Sequence, residues 1–341
     1  QRFRRSHFRF LFQTGIIVCM AFLLAWELHR TPRLEELWQV FICRVGEASL
    51  GWWMTALLLI PLNWFGEVLK WQPFVARYEP FSKKKACCAV LAGIGVSLLT
   101  PNRVGEFGGR ILLVSPEHRW RAIAVNAAGN VAQLLVILSF GLMATLHLCA
   151  SYAEMPMQAD DLMRLAGAIV LTGLWFVYFN MPGLTRFLDH HMLVRRFRPL
   201  REMAEVCRGL SRSDLACIAL WSATRYAVYS TQYWCLVRFF GIEAALTDAY
   251  AAIGFIFLVQ SGIPLPPVAG LLARGNLAIW VWSLFGANPL SSLAASFALW
   301  CLNLILPALA GAFVIMRQRT EARRQPEDAA AGTSCETGIS R

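Results

Sequence analysis

A polar insertion, LTPNRVGEFGGR, interrupts an apolar stretch between Leu99 and Arg110 and restricts the possible folds more than any other feature of this chain. It carries Arg103, Glu106 and Arg110, together with Pro101, Gly105, Gly108 and Gly109. Charges at membrane depth are costly and mark functional positions. Irregular backbone facing lipid leaves its hydrogen-bonding groups unsatisfied, so it is tolerated only where it is buried in protein or lines a wet cavity. The insertion therefore reads as a site set among spans.

The surrounding chain makes the membrane argument. Hydrophobic residues are 57% of the sequence, charged residues 16%, and the mean hydropathy is +0.49. Runs of about 20 apolar residues, enough to cross about 30 Å of hydrocarbon, recur throughout. The net charge of +11 would suit nucleic acid. The arginines, however, sit in short segments beside the apolar runs, as positive-inside topology requires, so no nucleic-acid partner is expected. The ten cysteines form no C-x-x-C pair and mostly lie in apolar runs, where Cys behaves as a small buried hydrophobe. Cys43 and Cys149 fall on the side expected to be oxidising, with nothing in the sequence to pair them. The first apolar run lacks a small-residue cleavage site and reads as an anchor, not a signal peptide. The chain opens on Gln, so its start is expected to be trimmed.

Charge flanks order the runs. Arg2, Arg4, Arg5 and Arg9 precede a first span near 10–27, and a second covers about 50–71, ending in NWFGEVLKW. A basic loop with Arg77 and Lys83–Lys85 follows. The next run, Ala86 to Thr100, is short for a crossing. It leads through the polar insertion to Arg119 and Arg121, so both flanks of 86–121 are basic. We expect a hairpin that enters from the cytoplasm, breaks at Pro101 and returns. Spans near 122–149 and 163–181 come next, joined by a loop holding Glu154, Asp160 and Asp161. The basic segment 182–213 places Leu200, Met203, Val206, Cys207 and Leu210 at helical spacing, which predicts an amphipathic helix on the cytoplasmic surface. After a span near 214–237, a second apolar run is broken by PLPPVAG. Its flanks are not basic, so this hairpin should enter from the outside. A last span near 290–316 precedes a polar tail, 318–341, that reads as disordered. The expected architecture is an all-α polytopic membrane domain, residues 1–317, with six full spans, both termini cytoplasmic, and two broken re-entrant hairpins of opposite orientation. Opposed broken elements of this kind build the midplane sites of inverted-repeat transporters.

The chemistry concentrates at the breaks. Helical spacing puts Arg103 and Arg110 on one face, with Glu106 beside them. A guanidinium suits phosphate, because its planar fork donates paired charge-assisted hydrogen bonds and keeps its proton. The same three charges also fit an internal ion-pair network that only holds the hairpin. In the second break, Pro264, Pro266, Pro267 and Gly270 lead to Arg274 and Asn276. Glu67 and Lys70 end the second span and read as a local ion pair. Arg225 has no carboxylate near it in sequence, so Glu67 or Glu106 is its expected partner. Asn63, Asn126, Asn130 and Asn303 read as helix–helix glue. Trp52, Trp53, Trp64 and Trp71 read as interfacial belt and packing. Motifs of soluble enzymes (GxSxG, a P-loop, HExxH) are absent from the sequence. His190 and His191 sit in the basic segment as solvated residues, and neither metal nor cofactor is expected.

The insertion TPNRVGEFGGR resembles the loop of the lysylphosphatidylglycerol synthase transmembrane-region family, the flippase-like membrane proteins. Members show a Pro, then Gly-Glu, then Arg at this spacing, which here are Pro101, Gly105-Glu106 and Arg110. Pro264, Pro267, Gly270 and Arg274 fall where the family's second loop would lie, with Gly275 where Glu is usual. NWFGEVLKW is similar to the family's second-segment ending. The resemblance covers roughly residues 8–317. It implies movement of lipids with anionic or modified headgroups between leaflets, in a bacterial inner membrane. Two-domain members add a soluble aminoacyl-transfer domain. Here about 25 polar residues follow the last span, so lipid aminoacyl transfer is not expected.

The expected function is thus translocation of a lipid whose phosphate is held by Arg103, Arg110 and Arg274, with Arg225, Glu67 and Glu106 balancing the buried charge. A membrane-embedded transferase using Glu106 or Glu67 as base is the main alternative. Its expected metal-binding Asp pair is lacking. A non-transporting partner of a lipid-modifying enzyme, docked through 186–212, is the third reading. A homo-oligomer is compatible with each.

Overall fold

In a computed structural model, the structure describes residues 34–97, 105–152, 157–188, 196–262, 267–311 and 313–314. Among these the chain is helical, with no strand. Helices α1 (Leu34–Glu47), α2 (Leu50–Val75), α3 (Lys83–Ser97) and α4 (Gly105–Ile111) come first, followed by a 3-10 turn, Pro116–His118. They are followed by α5 (Arg119–Tyr152), α6 (Met157–Phe179), α7 (Met181–Leu188), α8 (Arg198–Gly209) and α9 (Arg212–Phe239). The last are α10 (Leu246–Gly262), α11 (Pro267–Ser283) and α12 (Pro289–Trp300), which continues through a π-helical turn, Cys301–Ile305, to Gly311.

Local sequence sets several of these boundaries. Ser211 and Asp214 form a reciprocal capping box at the start of α9, each side chain taking the other's backbone N–H. Asn288 accepts from the Leu290 N–H at 2.9 Å, and Pro289 takes the first helical position of α12, where a missing N–H costs nothing. Pro61 lies inside α2, where it removes one rung of the backbone ladder, two residues before the polar Asn63.

Four helical stretches are long and apolar enough to cross a membrane: Leu50–Val75, Pro116–Tyr152, Asp160–Phe179 and Pro289–Gly311. This is compatible with an integral membrane protein. The fifth expected span, 214–237, forms the 28-residue helix α9, but its polar residues keep it out of that set. The first expected span and the tail 318–341 lie outside the described residues.

Two apolar clusters hold the bundle. One packs Val68 and Trp71 of α2 against Ala86 and Ala89 of α3, Val125 of α5, and Leu215 and Ile218 of α9. The other packs Ala56 and Ile60 against Tyr233 and Leu236 of α9, Ile253 and Ile256 of α10, and Trp282 of α11. The apolar face of α8 joins the first cluster through Val206 and Leu210, while Leu200 stays exposed. The expected amphipathic helix is therefore present, and it packs on the bundle.

The two interrupted runs are anchored at opposite ends of α5, whose 34 residues run about 51 Å. At the Arg119 end, Glu79 joins both limbs of the first: it accepts from Lys85 Nζ at 3.2 Å and from the Ser115 N–H at 3.0 Å. Arg77 reaches Asp214 there, through bonds of 2.6 and 2.9 Å, and Arg121 lies 3.8 Å from Glu205. At the other end, Tyr152 joins both limbs of the second. It donates to Asp248 of α10 at 3.0 Å, and its ring meets Phe285, just past α11, edge-on at 5.5 Å. Arg77, Lys85 and Arg121 from the expected basic loops thus share one end of the bundle, and the acidic loop residue Asp248 lies at the other.

Between α3 and α4 the packing is backbone against backbone. A Cβ on Gly109 would collide with the Ala92 carbonyl oxygen, and one on Gly93 would sit 2.9 Å from the Glu106 carbonyl. The insertion's glycines divide on this point: Gly109 serves the close approach, while Gly108 is exposed with open space around its Cα.

Candidate functional site

Glu67 is the hub of a buried charge cluster inside the bundle. Its α2 position is 3% exposed, and three cations from three helices converge on it. Arg110 Nη2, from α4, donates to Oε1 at 2.7 Å. Arg225 Nη1, from α9, donates to Oε2. Lys70 Nζ, one turn on, lies 2.9 Å from Oε2. Arg110 also donates to Glu106, one turn earlier on α4, and its guanidinium carbon lies 5.6 Å from the centre of the Trp71 ring. Trp71 is buried, so of the expected belt and packing roles it takes packing, against this cluster. Leaving any one of these charges alone would be costly, which is why the cluster recruits carboxylates from two separate helices.

Small residues make the room. A Cβ on Gly66 would come within 3.0 Å of Arg225 Cγ, and one on Gly93 within 2.9 Å of Arg110 Cγ. The long side chains thus lie across helices that present no side chain at the crossing.

A second polar layer extends the cluster. Arg225 Nε donates to Asn63 Oδ1 at 3.0 Å, Asn63 donates to Asn303 at 2.9 Å, and Asn303 donates to Gln232 at 2.7 Å. Gln232 closes the chain by donating to the Ala56 carbonyl at 2.9 Å. Asn303 stands in the π-helical turn of Cys301–Ile305. Such single-turn widenings are frequent at functional sites. The expected role of the asparagines as helix–helix glue holds for Asn63 and Asn303. It does not hold for Asn126, whose carboxamide is buried with neither polar atom bonded.

Beside the cluster lies a cavity of about 360 Å³. Its wall includes Glu67, Glu106, Arg110 and Arg225 of the cluster, with Arg274 of α11. Carboxamides contribute at Asn63, Asn130, Gln133, Gln260 and Asn303, and rings at Trp64, Tyr226, Tyr229, Phe257 and Trp300. Three guanidinium groups face two carboxylates, and Lys70 behind Glu67 adds another positive charge. Several wall atoms are buried without a hydrogen-bond partner: Arg110 Nε and Nη1, Trp64 Nε1 and Gln133 Oε1. Each such group carries a desolvation cost of about 1–3 kcal/mol until something bonds it. The unmet groups are three donors and one acceptor.

Comparison of the chain with protein-family models, with curated proteins and with solved structures finds no match.

Of the residues expected to form the site, Glu67, Glu106, Arg110, Arg225 and Arg274 all line the cavity. Asn276 is half-buried on α11 and is not among the lining residues. Arg103, Pro101, Pro264, Pro266, His190 and His191 lie outside the described residues. The carboxylate expected opposite Arg225 is Glu67. The local Glu67–Lys70 pair is present, within a larger network. Sequence reasoning missed Gln133, Gln232 and Gln260. The first had a signal, since Asn126, Asn130 and Gln133 fall at i, i+4 and i+7 on α5. The eight described cysteines, Cys43 and Cys149 among them, are free thiols.

Proposed function

We propose that this protein binds an anionic-headed lipid in the central cavity and moves it between the leaflets of a bacterial inner membrane. The observation that carries the reading is the cavity wall. Arg110, Arg225 and Arg274, each with a guanidinium of paired N–H donors, line a space within a bundle of apolar helices. Phosphate oxygens are the acceptors that such paired N–H groups match best. The acyl chains would remain in the surrounding hydrocarbon.

The topology in this proposal has six spans, both termini in the cytoplasm, and two re-entrant hairpins, 86–121 from inside and 249–285 from outside. Its support is the anchoring of both limbs of each hairpin at one end of α5, the first through Glu79 and the second through Tyr152. The resemblance of Pro101, Gly105-Glu106 and Arg110 to the flippase-like family points the same way. Alternate opening at the two hairpins would expose the headgroup first to one side and then to the other.

Fluorescent-lipid transbilayer assays on reconstituted protein test the proposal. Arg110→Ala should slow translocation roughly ten- to a hundredfold, the equivalent of about 1.5–3 kcal/mol for a lost charge-assisted bond. Arg110→Lys should restore only part, because Lys keeps the charge and loses the fork. Arg274→Ala, at a half-buried wall position, is the companion variant with less structural burden. Wild-type rates in well-folded Arg110→Ala and Arg274→Ala proteins would leave the charge cluster as a purely structural network.

A further inference from the structure

We infer that α7 and α8 form a foot at the edge of the bundle that binds the anionic headgroups of the surrounding phospholipid surface. This surface is separate from the central cavity and from the lipid proposed to move through it.

Position comes first. Of the four long apolar stretches, the one that includes α6 has the fewest buried residues, and Leu165, Ile169 and Phe176 are exposed along it. α6 therefore stands at the margin of the bundle, where lipid would surround it. It ends at Phe179 and α7 begins at Met181, so α7 starts where that marginal helix runs out. α8 packs on α7 and on α5, and turns Val206 and Leu210 into the core. Three large apolar side chains point the other way: Leu184 on α7, Phe197 at the N-cap of α8, and Leu200 are all exposed.

The same surface is basic. Residues 181–188 and 196–209 hold five arginines against two glutamates. Both glutamates are engaged: Arg198 donates to Glu202 at 2.6 Å, and Arg121 lies 3.8 Å from Glu205. Arg186, Arg196 and Arg201 are exposed, and no carboxylate among the described residues pairs with them. Arg201 stands one helical turn from Phe197, its N–H donating to the Phe197 carbonyl at 3.1 Å, so the two project from one face. Apolar side chains beside uncompensated arginines are the composition of an interfacial helix. The apolar groups sit at the acyl boundary and the guanidinium groups reach the phosphates. An anionic surface adds an attraction that a zwitterionic one lacks. A soluble acidic protein would match the charge, but the place of this face beside a marginal apolar helix favours the membrane.

The test is site-directed quenching in nanodiscs of phosphatidylcholine with a minority of phosphatidylglycerol. The full chain, in a cysteine-free background, carries Phe197→Cys labelled with bimane. Bromine is placed near the carboxyl end of the acyl chains of one lipid or of the other. Per molecule, brominated phosphatidylglycerol should quench about three- to tenfold more strongly than brominated phosphatidylcholine. The triple variant Arg186→Gln/Arg196→Gln/Arg201→Gln, confined to exposed positions, should bring that ratio to about one while quenching itself persists. A bimane on Ile169→Cys, midway along α6, should be quenched by both lipids with no such preference. Absence of quenching at position 197 by either lipid would overturn the lipid surface and leave this face to a soluble partner. Equal quenching by the two lipids would overturn the anionic preference. A preference that survives the triple variant would overturn the arginines as its source. None of these outcomes alters the reading of the central cavity, which the translocation assay tests on its own.

Discussion

Replacing Glu67 by Gln should be among the most damaging conservative changes available to this protein. The side chain is 4% exposed and accepts from, or lies against, Arg110, Arg225 and Lys70, whose own side chains are 1%, 25% and 2% exposed. The substitution keeps the shape and removes the charge. The five groups of the cluster, Glu67, Glu106, Lys70, Arg110 and Arg225, then go from a net +1 to a net +2. The new amide N–H₂ must also face a cation, which is a donor against a donor. Removing one partner from a buried ion pair costs about 3–5 kcal/mol, and Glu106 is already bonded to Arg110. At about 2–4 °C per kcal/mol, this is a loss of roughly 6–20 °C in the melting midpoint. Thermal unfolding in detergent, followed by tryptophan fluorescence and size-exclusion profile, measures it. The double variant Glu67→Gln/Arg225→Gln removes the excess charge and should recover at least half of the loss. A single variant melting within about 2 °C of wild type, or a double variant no better than the single, would refute the view that Glu67 neutralises converging cations.

The close approach of α3 and α4 separates two neighbouring glycines. Gly109→Ala forces a Cβ into the Ala92 backbone and should cost about 1–3 kcal/mol, while Gly108→Ala should be neutral or gain up to about 1 kcal/mol from helix propensity; chemical denaturation of the purified proteins distinguishes them. For Glu79, burial pushes the carboxyl up, but hydrogen bonds from Ser115 and Lys85 outweigh it and hold the carboxyl below its ordinary range. Its contribution to stability should therefore be full above the unfolded value of about 4.3 and fade as pH falls through the folded one. The stability gap between wild type and Glu79→Gln should accordingly be widest at neutral pH and close in acid. In a cysteine-free background, Lys84→Cys and Trp120→Cys should label from one side of the membrane and Glu243→Cys from the other. Labelling of positions 84 and 120 from opposite sides would rule out the first re-entrant hairpin.

The one-dimensional pattern determined the all-helical class with helices of bilayer length, because apolar runs of that length are written along the chain. It also singled out Glu106, Arg110, Arg225 and Arg274, since a charge inside an apolar run needs a partner wherever the chain finds one. It narrowed Arg225's partner to Glu67 or Glu106. It could not choose between them, because the choice depends on which face of α2 meets α9. That orientation follows from packing around Gly66, where the missing side chain leaves the space Arg225 crosses. Tertiary structure alone turned a local Glu67–Lys70 pair into a hub for three cations. It also set the Trp71 ring against Arg110, and joined Asn63, Asn303 and Gln232 across three helices. A carboxamide in a helix gives little hydropathy signal, so Gln133 and Gln260 were not distinguished from ordinary polar spacing. They become site residues only when eight helical segments close around one cavity, and that closure is set by contacts between segments far apart in sequence.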